Sequence, residues 1–310
     1  MSSYQQPLPV VAIMGPTASG KTDLALALAA QFPSEIISVD SALVFKGMDI
    51  GTAKPSLAER QQCPHHLIDI LDPSESYSVS QFCFDTNQLI EQIHQRGNIP
   101  ILVGGTMMYF NALINGISPL PKSDEVIRQT ICEEANQAGW SAIHAQLQQV
   151  DPVSAERIHP NDPQRVTRAL EVYRSSGKTL TYWQQQEVSK TPFEIAQFAI
   201  APQDRAVLHK RIEKRFRQML EAGFIDEVRK LFQRGDLHID LPAIRSVGYR
   251  QVWQYLEQTL SYDEMQERGI IATRQLAKRQ LTWLRGWNSL DWLDTFANNN
   301  VAKILAKIDR

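Results

Sequence analysis

The sequence predicts an α/β fold: a P-loop NTPase-like parallel sheet flanked by helices, with a helical insertion domain and a helical C-terminal part. Three observations predict it. Short apolar, β-rich runs alternate with helical patterns up to about residue 114 and return once at Phe198–Ile200. Such alternation belongs to a parallel sheet covered on both faces. The first run leads directly into a glycine-rich segment with phosphate-loop spacing. Strand signals are absent between Pro119 and about Pro192, where the chain reads as helix.

The elements follow in order. Val10–Met14 is a short buried strand, the glycine-rich segment Gly15–Thr22 follows, and Asp23–Gln31 is an Ala/Leu-rich helix. Glu35–Val39 is the second strand and ends at Asp40-Ser41; His66–Ile70 is a third, shorter candidate. A helical pattern over Ser80–Gln95 precedes the fourth strand, Pro100–Val103, which ends at Gly104-Gly105-Thr106 and leads into a helix over Met107–Ile114. Residues 123–150 and 163–186 read as helices, punctuated by Asp151-Pro152, His159-Pro160 and Asp162-Pro163. Phe198–Ile200 is the fifth strand, and from Asp204 onward the chain reads almost wholly helical, with breaks at Gly223, Gly235 and Gly248. The expected domains are a catalytic core of residues 1–118 and 196–310 and an insertion of residues 119–195.

Length and composition narrow the function. At roughly 150 residues per domain, 310 residues make about two domains. Hydrophobic residues at 43% and charged residues at 21% exclude a disordered, collagenous or coiled-coil chain. The longest apolar run, Leu24–Ala30, is too short to cross a membrane, and Met1–Pro9 lacks the basic start and apolar core of a secretory signal. Cys63, Cys83 and Cys132 cannot build a disulfide framework; Cys83 and Cys132 read as buried small apolar residues. A cytoplasmic protein with no membrane partner is expected. The net charge of -2 conceals an asymmetry: residues 1–204 carry 13 basic and 21 acidic side chains, residues 205–285 carry 16 and 10. Local positive charge, not net charge, binds phosphates, so a polyanionic partner is in view.

The strongest motif is Gly15, Pro16, Thr17, Ala18, Ser19, Gly20, Lys21 and Thr22, which fits G-x-x-x-x-G-K-[ST] throughout. Glycines let successive N–H groups point at phosphate oxygens, and the following helix adds its positive end. Lys21 supplies a charge, and the Thr22 hydroxyl is the candidate Mg²⁺ ligand, direct or through water. A GTPase is disfavoured because Asn-Lys-x-Asp and a following Asp-x-x-Gly are absent, and the fourth strand lacks the acidic end of a motor ATPase. Asp40 and Thr106 stand at strand ends, where ligands of such sheets gather. There Asp40 is a candidate base or outer Mg²⁺ partner, and Thr106 a candidate hydroxyl donor. Arg211 and Arg215 share one helix face, which reads as a solvated charged surface or, at Arg215, as a charge for a leaving group. The 268–285 helix sets Arg274, Lys278 and Arg285 beside an apolar face of Ile270, Ala277, Leu281 and Leu284. Cys63-Pro-His65-His66 lacks a second ligand pair for zinc and reads as structural.

Taken together, these segments resemble the bacterial tRNA dimethylallyltransferases. The resemblance is carried by Gly15–Thr22, Ser38–Pro55, Leu102–Tyr109, His159–Val172, Arg245–Arg250 and Thr273–Arg285, in the family's order. It implies transfer of a dimethylallyl group from dimethylallyl diphosphate to N6 of adenine 37 in tRNAs reading codons that begin with U. It implies that the phosphate loop, with Mg²⁺, holds the donor's diphosphate and that Arg215 shares the departing charge. Asp40 matches the residue that accepts the N6 proton, and Thr106 one placed beside it. The residues it implies for tRNA contact are Asp40, Ser41, Ala42, Leu43, Thr106, Arg128, Gln164, Arg165, Val166, Thr167, Arg168, Arg245, Ser246, Val247, Gly248, Tyr249 and Arg250. The anticodon stem-loop is the expected partner, gripped by the insertion, and a monomer is the expected state. Phe45 stands where the family often has Tyr, and the Cys/His pairs of the eukaryotic zinc finger are absent, so zinc is not expected. The alternatives are an adenylate isopentenyltransferase acting on free AMP, ADP or ATP, a P-loop small-molecule kinase, and a non-catalytic RNA-binding module.

Overall fold

The computed structural model describes residues 9–188 and 190–308. Residues 1–8, which hold most of the stretch read as lacking a signal, lie outside them. The chain divides into two compact units at 114/115 and 190/191. The helical unit therefore starts and ends a few residues before the 119–195 expected from sequence.

The first unit opens with β1 (Val10–Met14), α1 (Lys21–Ala29), β2 (Ser34–Val39), α2 (Leu57–Gln62), β3 (His65–His66), α3 (Val79–Gln95), β4 (Ile99–Gly104) and α4 (Met107–Asn115). The helical unit holds α5 (Glu125–Ala138), α6 (Trp140–Val150), α7 (Pro152–Arg157), α8 (Pro163–Ser176) and α9 (Leu180–Gln184). The first unit then resumes with β5 (Ile195–Ala201), α10 (Arg205–Glu221), α11 (Phe224–Phe232), α12 (Tyr249–Leu256), α13 (Tyr262–Arg285), β6 (Asp291–Asp294) and α14 (Asn300–Ile308).

The sheet is parallel, in the order β3-β2-β4-β1-β5-β6. Its strands alternate faces as a doubly covered sheet requires. Val10, Ala12 and Met14 pack with Phe82 and Ile90 of α3 and Phe110 of α4. Val11 and Ile13 pack with Leu24 and Leu28 of α1 and Ile304 of α14. A third core joins Val44, Phe45 and Met48 to Phe216 of α10, Phe224 of α11, Trp253 of α12 and Met265 of α13. Register matters most for the site: Val39, Gly104 and Met14 stand side by side, so β2, β4 and β1 end level.

The structure corrects the sequence reading in several places. The third strand is two residues long, because Leu67 and Asp69 take left-handed backbone, with φ of 58° and 56°. A sixth strand, Asp-Trp-Leu-Asp, lies at the sheet edge beside β5 in a stretch that reads as helical. Only its Leu293 is buried, so no alternating apolar pattern announces it. Asp151-Pro152 and Asp162-Pro163 are helix starts: each Asp side chain caps its helix and each Pro occupies the first turn. Cys132 is exposed on α5, beside buried Ile131.

The helical unit has its own core, including Ile131, Ile143, Leu147, Val166 and Leu170. Inside it the fully buried Glu171 accepts from Ser123 Oγ at 2.7 Å and the Asp124 N–H at 2.6 Å, and pairs with Arg168 at 3.0 Å and Arg128 at 3.6 Å.

Candidate active site

The level ends of β1, β2 and β4 deliver three segments to one place. After β1 the phosphate loop enters α1 through Gly20, whose φ of 89° is a left-handed conformation suited to glycine. No side chain caps α1, so its first-turn N–H groups remain available to an anion. Three of the loop's carbonyls are held by side chains. Lys21 Nζ donates to the Pro16 carbonyl at 2.7 Å, Arg211 Nε to the Ala18 carbonyl at 2.8 Å, and Thr295 Oγ1 to the Ser19 carbonyl at 2.8 Å. The Thr17 N–H donates to Gln280 Oε1 at 2.9 Å.

Asp40 follows β2 and Thr106 follows β4. Asp40 Oδ1 accepts the Ala42 N–H at 2.9 Å, which fixes the carboxylate in a local turn. Thr106 Oγ1 accepts the Ser41 N–H at 3.1 Å, and the Thr106 N–H donates to the Val39 carbonyl at 3.2 Å. The two strand ends are thereby stitched together around the carboxylate.

Thr17, Lys21, Thr22, Asp40, Thr106 and Arg215 line one cavity of about 540 Å³. Ile36, Val103 and Met107 supply apolar wall. A second hollow, about 350 Å³, shares Lys21 with the first and is lined by Arg211, Lys214 and Arg215 of α10. Burial, with the nearby Arg215 charge, lowers the Lys21 ammonium to about 7 against the opposing pull of Asp40. Burial also lowers Arg215, with Asp40 opposing. Two cations forced together in a partly desolvated pocket create a demand for anionic charge.

Of the residues implied for tRNA contact, Asp40, Ser41, Ala42, Leu43 and Thr106 line this cavity with Arg245, Ser246, Val247, Gly248 and Tyr249. Arg250 is exposed on α12. Tyr249 has a structural task. Its ring is buried and its hydroxyl donates to Glu227 of α11, whose carboxylate also accepts the N–H groups of Asp49, Ile50 and Gly51 at 2.9, 2.7 and 3.1 Å. Arg128, Gln164, Arg165, Val166, Thr167 and Arg168 belong to the helical unit. There Gln164 and Arg165 are exposed, Val166 and Thr167 are buried, and Arg128 and Arg168 lean on Glu171.

The sequence reading missed Gln280, Glu227 and Thr295. Gln280 carried a faint signal, a polar residue within the Ala277–Leu284 apolar stripe of α13. Glu227 and Thr295 carried none, because their partners are distant in the chain.

The family model described as IPP transferase matches residues 43–287. The chain is similar to the tRNA isopentenylpyrophosphate transferase of Bacillus halodurans, at 38% identity over 97% of this chain and 95% of that one, with a TM-score of 0.72. It is similar to the tRNA delta(2)-isopentenylpyrophosphate transferase of Staphylococcus epidermidis at 32% identity, over 97% and 99% of the two chains, with a TM-score of 0.69. A eukaryotic dimethylallyltransferase acting on tRNA matches at 29% identity over 96% of this chain and 78% of that one, with a TM-score of 0.80. With a family match over most of its length and structural relatives of more than 30% identity, the chain belongs to the IPP transferase family.

Proposed function

We propose that this chain transfers the dimethylallyl group of dimethylallyl diphosphate to N6 of adenine 37 in tRNAs reading codons that begin with U. The products are N6-(dimethylallyl)adenosine and diphosphate. One observation carries the reading: a phosphate cradle, a carboxylate and a hydroxyl converge on one cavity with apolar wall, from three strand ends that finish level.

The chemistry follows from that arrangement. The C1–oxygen bond of the donor breaks, the N6–C1 bond forms, and the amine's proton passes to Asp40. An exocyclic adenine amine is a weak nucleophile, so orientation and leaving-group stabilisation supply most of the acceleration. The phosphate-loop N–H groups, Lys21 and Arg215 hold the diphosphate while its charge grows. Thr106, tied to the Ser41 N–H, fixes the wall beside Asp40. Reaching this cavity requires adenine 37 to leave the anticodon stack, as in other base-modifying enzymes. The 245–250 segment, with Arg245 and Arg250 exposed, offers the cationic groups that a single-stranded loop requires.

The donor set suits Mg²⁺. Among the described residues no group of three or more His, Cys, Asp or Glu side chains is placed to hold a metal; Thr22 and Asp40, which line the same cavity, would offer it a hydroxyl and a carboxylate. Mg²⁺ retains waters and takes substrate phosphate oxygens, which matches so sparse a set. When bound it would neutralise charge on the leaving diphosphate.

The test is incubation with Mg²⁺, dimethylallyl diphosphate and an anticodon stem-loop carrying A36-A37-A38, read by mass spectrometry. AMP is the parallel acceptor and Asp40→Ala the control. One prenyl group gained on adenine 37, absent with AMP and nearly lost in the variant, is the expected result. Prenylated AMP would place the chain with enzymes acting on free nucleotides, and transfer to neither acceptor would overturn the reading.

A further inference from the structure

We infer that Gln280, which carries no chemistry of its own, is a positioning residue that sets the separation between the leaving group and the acceptor. The inference rests on the reading of function above and adds a residue that neither motif nor resemblance assigned. Gln280 sits on α13 and is 8% exposed. Its Oε1 accepts the Thr17 N–H of the phosphate loop at 2.9 Å, and its Nε2 donates to the Gly105 carbonyl at 2.9 Å. One planar carboxamide therefore spans the two walls of the cavity.

The bridge extends further on each side. Beyond Gly105 comes Thr106, whose hydroxyl accepts the Ser41 N–H, and Ser41 adjoins Asp40. A continuous run of bonds thus joins the diphosphate cradle to the proton acceptor, and Gln280 is its only link contributed by α13. The site also excludes substitutes. A Cβ at Gly105 would lie 2.4 Å from Gln280 Nε2, so the carboxamide needs glycine opposite it. The amide must also present oxygen to Thr17 and nitrogen to Gly105, because the flipped orientation sets donor against donor and acceptor against acceptor.

The physical consequence concerns rate more than binding. Thr17 and Gly105 each keep their own segment when the amide is lost, so diphosphate and RNA still find their separate contacts. What loosens is the distance between them, and a misplacement of about 1 Å can cost about 100-fold in rate.

The experiment compares Gln280→Met and Gln280→Glu with the parent protein in single-turnover prenyl transfer to the stem-loop. Dissociation constants for inorganic diphosphate and for the stem-loop, and melting temperatures, are measured alongside. Gln280→Met is expected to lower the saturating rate by about tenfold or more while both dissociation constants stay within about threefold, a split that follows from positioning. Gln280→Glu separates geometry from folding. As a carboxylate it repels the Gly105 carbonyl; once protonated it regains both a donor and an acceptor. Its rate relative to the parent is expected to recover as pH falls, which a defect of bulk packing would not do. Transfer by the parent with a saturating rate retained in Gln280→Met overturns the inference alone, as does a pH-independent ratio for Gln280→Glu. Absence of transfer by the parent overturns the reading of function, and the inference with it.

Discussion

The Lys21 ammonium donates to the carbonyl oxygen of Pro16 at 2.7 Å, so the one cation within the phosphate loop is bonded to the loop itself. That bond holds the ammonium in a pocket that disfavours it, beside Arg215, with a pKa of about 7 in place of 10.5.

The sign for stability follows directly. Between about 7 and 10.5 the unfolded chain holds a proton on this lysine that the folded chain has lost. Stability from this group therefore rises with pH across that window, and the full penalty is present below it. Lys21→Met is expected to melt at a higher temperature than the parent below pH 7, with the gap closing toward pH 10. Calorimetry across that range checks it, and a variant that melts lower below pH 7 contradicts the account.

Diphosphate binding should respond in the opposite sense. An anion in the cradle favours the ammonium, so above pH 7 binding takes up a proton and weakens by as much as about tenfold per pH unit. Lys21→Arg keeps its charge throughout, and its affinity relative to the parent is expected to rise with pH. Titration calorimetry in buffers of different ionisation enthalpy reads the proton uptake, which should vanish in the variant.

The close approach at the strand ends is a packing prediction. A Cβ at Gly104 would lie 1.9 Å from the Val39 carbonyl, so β2 and β4 must part to admit it. Gly104→Ala should lower unfolding free energy by roughly 1–3 kcal/mol or more. Gly286→Ala, whose nearest contact would be an ordinary 3.7 Å, is the control and should stay within about 0.5 kcal/mol. Urea denaturation of the two variants decides the matter.

Two arginines of the helical unit should separate by their burial. Arg165, with a side chain 72% exposed, is expected on alanine substitution to weaken stem-loop binding and reduce the logarithmic salt slope by about 1. Arg168→Ala also strips a partner from buried Glu171, so it should lower the melting temperature, as Arg165→Ala should not. Binding at several salt concentrations, with melting curves, tests both.

Much of this was legible in the sequence because local chemistry wrote it there. The phosphate loop had to follow a strand and open a helix, and β1 and α1 flank it. Asp40 and Thr106 were legible as strand ends, and register then set the last residues of their strands, Val39 and Gly104, side by side. What stayed hidden depends on contacts without local pattern. β6 has one buried side chain and borrows its strand character from β5. Tyr249 read as a contact residue, but its hydroxyl belongs to Glu227 through a pairing 22 residues apart. The resemblance gave Arg128 and Arg168 as tRNA contacts, but a carboxylate that no periodicity marks holds them both.

The phosphate loop's supports also set an order of assembly. Thr17 is held by a residue 263 positions later, and Ser19 by one 276 positions later. The strand before the loop gains its β5 neighbour only after the helical unit has been made. A chain emerging N-terminus first therefore exposes its cradle long before it can brace it, while residues 115–190 can gather around their own core in the interval. Contacts so distant in the chain make folding slow. The motif written first is thus the last part of the site to become rigid, and a ribosome-bound chain short of residue 280 has the sequence of a phosphate cradle without its clamp.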